Sequence, residues 1–148
     1  MADQDNARIA RAIYDAFNDR DFDAGTALVT DDAEWLNVAT GQTFRGPEGV
    51  RQNYEQWATA YPDGRCEDIE ILAGEGFAVV QFTGRGKNTG PLGSPAGEIP
   101  ATGRSVDVPF CDVLEIRAGK IAGGKSYFDM ATMMRQLGLM PDAVGAAT

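Results

Sequence analysis

An α+β fold, in which helices cover one face of a curved antiparallel sheet, is what this sequence predicts. Two observations carry that expectation. Apolar residues recur at helical spacing in the front of the chain, whereas alternating runs punctuated by tight turns fill the back. Helices gathered ahead of strands, rather than alternating with them, favour a sheet packed on one side over a doubly wound parallel sheet. The length of 148 residues suits one domain with a substantial core, and no linker, repeat or low-complexity tract divides it. Residues 1–148 are therefore read as a single domain.

Each element has a local reason. Ile9, Ile13 and Phe17, flanked by Ala10 and Tyr14, mark a first helix after the capping candidates Asp5 and Asn6, ending near Asn18-Asp19. A short second helix carries Phe22, Ala27 and Leu28. Glu34–Val38 reads as a strand that turns at Thr40-Gly41 into Gln42–Arg45. Gly46-Pro47-Glu48 opens a third helix, because Pro suits the first helical position and Glu the positive end of the dipole. Its apolar stripe is Val50, Tyr54, Trp57 and Tyr61, and Pro62 stops it. Cys66–Ala73 and Phe77–Gly86 are strands joined at Gly74-Glu75-Gly76. The Gly/Pro-rich stretch from Gly90 to Gly97 is a long loop of the kind that borders sites. Ser105–Arg117 is a long strand, Ala118-Gly119-Lys120 a hairpin turn, and Ile121–Phe128 the returning strand. A last helix from about Asp129 to Leu137 aligns Met130, Met133, Met134 and Leu137, with Gly138 as its C-cap.

Composition removes whole classes of chemistry. The chain has no histidine, which excludes Ser-His and Cys-His nucleophiles, histidine-ligated zinc and the usual neutral-pH proton shuttle. Proton transfer must then fall to Asp, Glu, Tyr, Lys or Cys. The formal net charge is −9, all of it within residues 1–86, which argues against nucleic acid and anionic membrane surfaces as partners. A solvated acidic face explains that charge. Cys66 and Cys111 have no metal-binding spacing, the methionines read as core, and Gly84–Gly90 lacks the order of a phosphate loop. No metal and no cofactor is implied. The opening Met1-Ala-Asp-Gln-Asp has no basic stretch followed by an apolar run, so a cytoplasmic, reduced protein is expected.

Asp112 is the sharpest chemical signal. By strand alternation it shares a face with Val106, Val108, Phe110, Leu114 and Ile116, a single carboxylate in an apolar row. Such a group is either paired or shifted upward in pKa, and a general acid or base works best when it titrates near the operating pH. The plain alternative is an Asp paired with Lys125 or Arg117. Asp129 admits two readings, a carboxylate at the pocket end of its strand or, favoured here, the N-cap of the last helix. Tyr14, Trp35, Tyr54 and Trp57 supply a pocket lining, whereas Phe17 and Tyr61 read as plain core. Asn37, on the face of Trp35, offers an amide to a ligand carbonyl or enolate. Gln81, on the face of Phe77 and Val79, is a further polar group in an apolar row.

Several runs together resemble a known family: Ile-Tyr-Asp-Ala-Phe-Asn (13–18), Trp-Leu-Asn-Val-Ala-Thr-Gly (35–41), Phe-Arg-Gly-Pro-Glu-Gly-Val (44–50), Pro-Ala-Thr-Gly-Arg (100–104), Gly-Lys-Ile (119–121) and Arg-Gln-Leu-Gly-Leu (135–139). These are similar to the SnoaL-like polyketide cyclases of the NTF2-like superfamily, whose fold is a cystatin-like cone, across about residues 6–139. The resemblance implies a homodimer or higher oligomer, an apolar pocket between helices and sheet, and cofactor-free ring closure of an aromatic polyketide. Asp112 falls where the family carries a pocket histidine, and Ser126 where it carries its acid/base aspartate. The resemblance also turns Ser126 and Phe128 inward. Asp112, Ser126 and Asn37 are thus the catalytic candidates; Tyr14, Trp35, Tyr54, Trp57, Gln81, Phe110, Phe128 and Asp129 are the binding candidates. A hydroxyl at 126 shifts proton work to Asp112 and opens a second reading, a protein that assists hydroxylation with a reductase partner. A third is a ligand carrier without catalysis.

Overall fold

The structure, a computed structural model, describes residues 3–140. Its elements follow in the order α1 (Asp3–Asn18), α2 (Phe22–Thr26), β1 (Val29–Asn37), β2 (Gln42–Arg45), α3 (Gly46–Ala60), β3 (Arg65–Gly74), β4 (Phe77–Lys87), β5 (Ser105–Arg117), β6 (Lys120–Phe128) and α4 (Met130–Gln136). The strands form one curved, open sheet in the order β2-β1-β6-β5-β4-β3. Helix α1 packs on β3 and β4, α3 on β1 and β2, and α4 on β5, leaving the other face of the sheet uncovered by helices. No helix among the described residues is long and apolar enough to cross a membrane.

The sheet differs from expectation in one respect. It is mixed, because β1 runs parallel to β6 while every other pair is antiparallel. That pairing joins segments far apart in sequence, a contact that local patterning does not encode. It sets Trp35 beside Gly124 and Asn37 beside Ser126. Strand β1 also starts earlier than its apolar run suggests, taking in Asp31 and Asp32 at a register shift between Val29 and Glu34. Helix α1 likewise begins at Asp3, so Asp5 and Asn6 lie inside it. Asn6 is buried and donates from Nδ2 to Gly74 O at 2.8 Å, tying α1 to the β3–β4 turn rather than capping the helix.

Alternation then sorts the faces. Ala78, Val80 and Phe82 of β4 and Val106, Val108, Leu114 and Ile116 of β5 point under the helices, joined there by Ile13, Val50 and Ile121. Complete burial of side chains such as Leu114 or Ile121 is worth about 1.5–3 kcal/mol each. Residues 88–104 are held by a buried Asn88. Its Nδ2 donates to Ala60 O at 3.1 Å and Gly90 O at 2.9 Å, and its Oδ1 accepts from Thr102 N at 2.8 Å. Leu92 from this loop joins Tyr61, Val108, Met133 and Leu137 in a second apolar cluster at the end of the cone where α4 lies.

Gly124 lies in close contact with the Trp35 side chain. A Cβ built there would stand 2.7 Å from the Trp35 indole. Gly124→Ala should therefore lower stability by about 1–3 kcal/mol, read as a lower denaturant midpoint with unchanged slope; a wild-type midpoint would contradict this packing.

Candidate active site

Helices and sheet enclose a cavity whose empty space, mouth included, is about 680 Å³. Its helical wall carries Tyr14 from α1 and Asn53, Tyr54 and Trp57 from α3, with Tyr61 just beyond. The sheet wall carries Cys66, Phe82, Phe110 and Asp112, and Met133 of α4 closes one end. Aromatic rings make most of this surface. Phe82 and Phe110 stack at 4.9 Å, Phe110 and Phe128 at 4.8 Å, and Trp57 meets Phe110 edge-on at 5.9 Å. A stacked ladder of this kind presents flat faces and edges to a planar ligand.

Asp112 sits in this wall at 3 % exposure. The Tyr14 hydroxyl donates to its Oδ2 at 2.6 Å, whereas Oδ1 is buried without a partner. Burial pushes the carboxyl up to about 7, against hydrogen bonding from Tyr14 and Ser126, which favours the charged form. Neither salt-bridge alternative forms: Arg117 holds Asp32 at 2.8 Å across the outer face, and Lys125 is exposed there. The result is a carboxyl raised toward neutrality by burial, with one oxygen buried and unpartnered in the cavity wall. Tyr14 is itself pushed well above the ordinary phenol value, by burial and then by the adjacent carboxylate. It remains a proton donor in the hydrogen bond.

The other candidates separate into lining, support and exterior. Trp35, Tyr54, Trp57 and Phe110 line the cavity with Tyr14 and Asp112. Ser126 is buried behind them, directly across the strand pair from Asp112, and accepts from Trp35 Nε1 at 2.9 Å. Phe128 stacks on Phe110 at the edge of the ladder. Asn37 lies a layer deeper than expected: its Nδ2 donates to Asn53 Oδ1 at 3.0 Å, and Asn53 is the amide that reaches the cavity.

Two placements correct the sequence reading. Gln81 is exposed on the outer face of β4. Its shared face with Phe77 and Val79 was real, but both faces of β4 carry apolar residues, so alternation alone did not tell inner from outer. Asp129 is also exposed and outside the cavity. It caps α4, accepting from Thr132 N at 3.1 Å, the favoured of its two readings, and with Gln81 borders a shallow outer concavity instead. Phe17 and Tyr61, read as plain core, also line the cavity, and Asn53 went unassigned although it follows Val50 by three on one helical face. The hydroxyls of Tyr54 and Tyr61 are buried without partners.

A model of the SnoaL-like domain matches residues 10–123. The chain belongs to the SnoaL-like family. Its fold is ketosteroid isomerase-like: a protein with that fold from Catenulispora acidiphila, in complex with trimethylamine, superimposes with a TM-score of 0.74 at 17 % identity, over 89 % of this chain and 93 % of its own. A candidate polyketide cyclase from Pseudomonas putida is 25 % identical, with a TM-score of 0.74 over 86 % and 94 % of the two chains. AclR, a candidate hydroxylase from Streptomyces galilaeus, gives a TM-score of 0.79 at 18 % identity over 99 % and 88 %. Among curated proteins none matches the chain. Within this SnoaL-like domain, Tyr14 donates to Asp112 Oδ2 at 2.6 Å. Tyr14→Phe should raise the Asp112 midpoint above about 7, by roughly one pH unit; a midpoint that stays or falls in a carboxyl-carbon NMR titration would contradict the assignment.

Proposed function

We propose that this SnoaL-like protein is an enzyme that transfers a proton on a carbonyl-rich aromatic molecule of polyketide type, with Asp112 as general base and then acid. The observation that carries the reading is the buried Asp112 carboxyl at about 7, unpartnered at Oδ1 in the wall of an aromatic-lined cavity. A carbon acid next to a carbonyl needs a base near neutrality and a donor for the enolate oxygen. Asp112 Oδ1 takes the proton, and the unpartnered hydroxyls of Tyr54 and Tyr61 are the donors available to the oxygen. The proton then returns from Asp112 to the product, so the cycle closes on side chains alone, as in a cyclase or isomerase.

The reading extends to setting and assembly. A cytoplasmic location keeps the free thiols of Cys66 and Cys111 reduced. A homodimer would cover the outer sheet face, where Phe77, Val113 and Tyr127 are exposed; sedimentation that returns a monomer would remove it. The presence of Ser126 where the family carries an acid/base aspartate favours one alternative, hydroxylation assisted by the same pocket with a reductase partner.

Turnover of an aromatic polyketide by Asp112→Asn separates these readings. Proton transfer through Asp112 predicts a loss of at least about a hundredfold in kcat, with ligand binding retained and no oxygen consumed. Unchanged turnover would sink it, and oxygen-dependent product would transfer the protein to the hydroxylation reading. Binding without product in the wild type would make it a carrier.

A further inference from the structure

Behind the cavity wall lies a second layer of polar contacts. The Trp35 indole passes over Gly124 and donates to Ser126 Oγ at 2.9 Å, with both residues buried. That route exists because position 124 has no side chain, since a Cβ there would stand 2.7 Å from the ring. An indole N–H only donates, so this bond occupies a lone pair of Ser126 and leaves the hydroxyl proton unspent. The cross-strand partner of Ser126 is Asp112.

We propose that Trp35 and Ser126 form a positioning relay, in which the indole holds Ser126 as its acceptor so that Ser126 presents its proton to Asp112. Neither residue needs to touch substrate for this. Oδ1 of Asp112 is buried without a partner, and donation to it from Ser126 favours the charged form, in opposition to burial. The groups that face Asp112 from other elements are Tyr14 on α1, Tyr54 on α3 and Cys66 on β3, with Val80 as its partner on β4. Burial pushes both phenols and the thiol up, so all three are neutral at pH 7 and bring no charge. No cation acts on Asp112. Its ionisation is then set by desolvation against two donors, Tyr14 directly and Ser126 as oriented by Trp35.

The relay deepens the reading of Asp112 as the proton-transfer group, yet its test requires no substrate. The Asp112 carboxyl carbon is titrated by NMR in protein labelled at Asp, with Asp112→Asn assigning the resonance. Ser126→Ala should move the midpoint up by about one pH unit. Trp35→Phe, which keeps the ring shape but loses the N–H, should move it up by less. The double variant should match Ser126→Ala alone, because the indole acts only through the hydroxyl. A Trp35→Phe shift that adds in full to that of Ser126→Ala would overturn the relay, as would an unmoved midpoint in either single variant. Should Trp35→Phe fail to fold, Trp35→Leu takes its place beside Ser126→Ala: an upward shift smaller than that of Ser126→Ala supports the relay, and an unmoved midpoint overturns it. Loss of turnover in Asp112→Asn is a separate result, so the reaction and the relay fail independently.

Discussion

One carboxyl group placed in an apolar wall is the constraint on which the site depends. Ionised carboxylates are expensive to bury, and a fold tolerates one only with donors at hand or with its proton on. Here both partial remedies operate together. Tyr14 crosses from α1 to meet Asp112 at 2.6 Å, and Ser126 stands across the strand pair, yet Oδ1 stays buried and unpartnered. Two full sets of donors would make a permanent carboxylate, and none would make a permanent acid. The intermediate arrangement leaves the group near 7, where it can serve as either.

The rest of the fold can be understood as what brings those donors to Asp112. Tyr14 reaches the sheet because α1 packs on β3 and β4, pinned there by Asn6 at one end and by Asn18, which bonds both the N–H and the carbonyl of Cys66, at the other. Ser126 is oriented because β1 lies parallel to β6 and carries Trp35 over a glycine. Asn88 ties the 88–104 loop to the end of α3, and the loop's Leu92 and Ile99 pack into the apolar cluster with Met133, the α4 residue that reaches the cavity. A chain with no histidine thus holds a carboxyl raised toward neutrality, through burial and against the Tyr14 donor, where an imidazole would otherwise be expected.

Much of this was legible in the sequence wherever the controlling physics is local. Strand alternation placed Asp112 with Val108, Phe110 and Leu114, and the cap position of Asp129 before an apolar stripe identified its role. Local patterns stop at the question of which face is inward. On β4 both faces are apolar enough to serve, so Gln81 went to the wrong side. Contacts between distant segments were illegible for a related reason. Trp35 and Ser126 are 91 residues apart and meet only through a parallel pairing that no turn or period announces. Asn37 was displaced by Asn53, because which amide of a buried pair reaches the cavity depends on packing between α3 and β1.

The central claim is that the fold keeps Asp112 buried at a cost in stability which grows as that group ionises. A folded-state value near 7, against about 3.8 for the free side chain, means that the native state binds more protons than the unfolded chain between those limits. Stability must then fall as pH rises through that window. The direct measurement is the unfolding free energy of the wild type and of Asp112→Asn from pH 4 to pH 8. The account predicts that the variant gains on the wild type from pH 4 up to about 7, reaching a few kcal/mol, and that the difference levels off above that value. A difference that stays constant with pH would contradict it, because Asp112 would then titrate as an ordinary carboxylate.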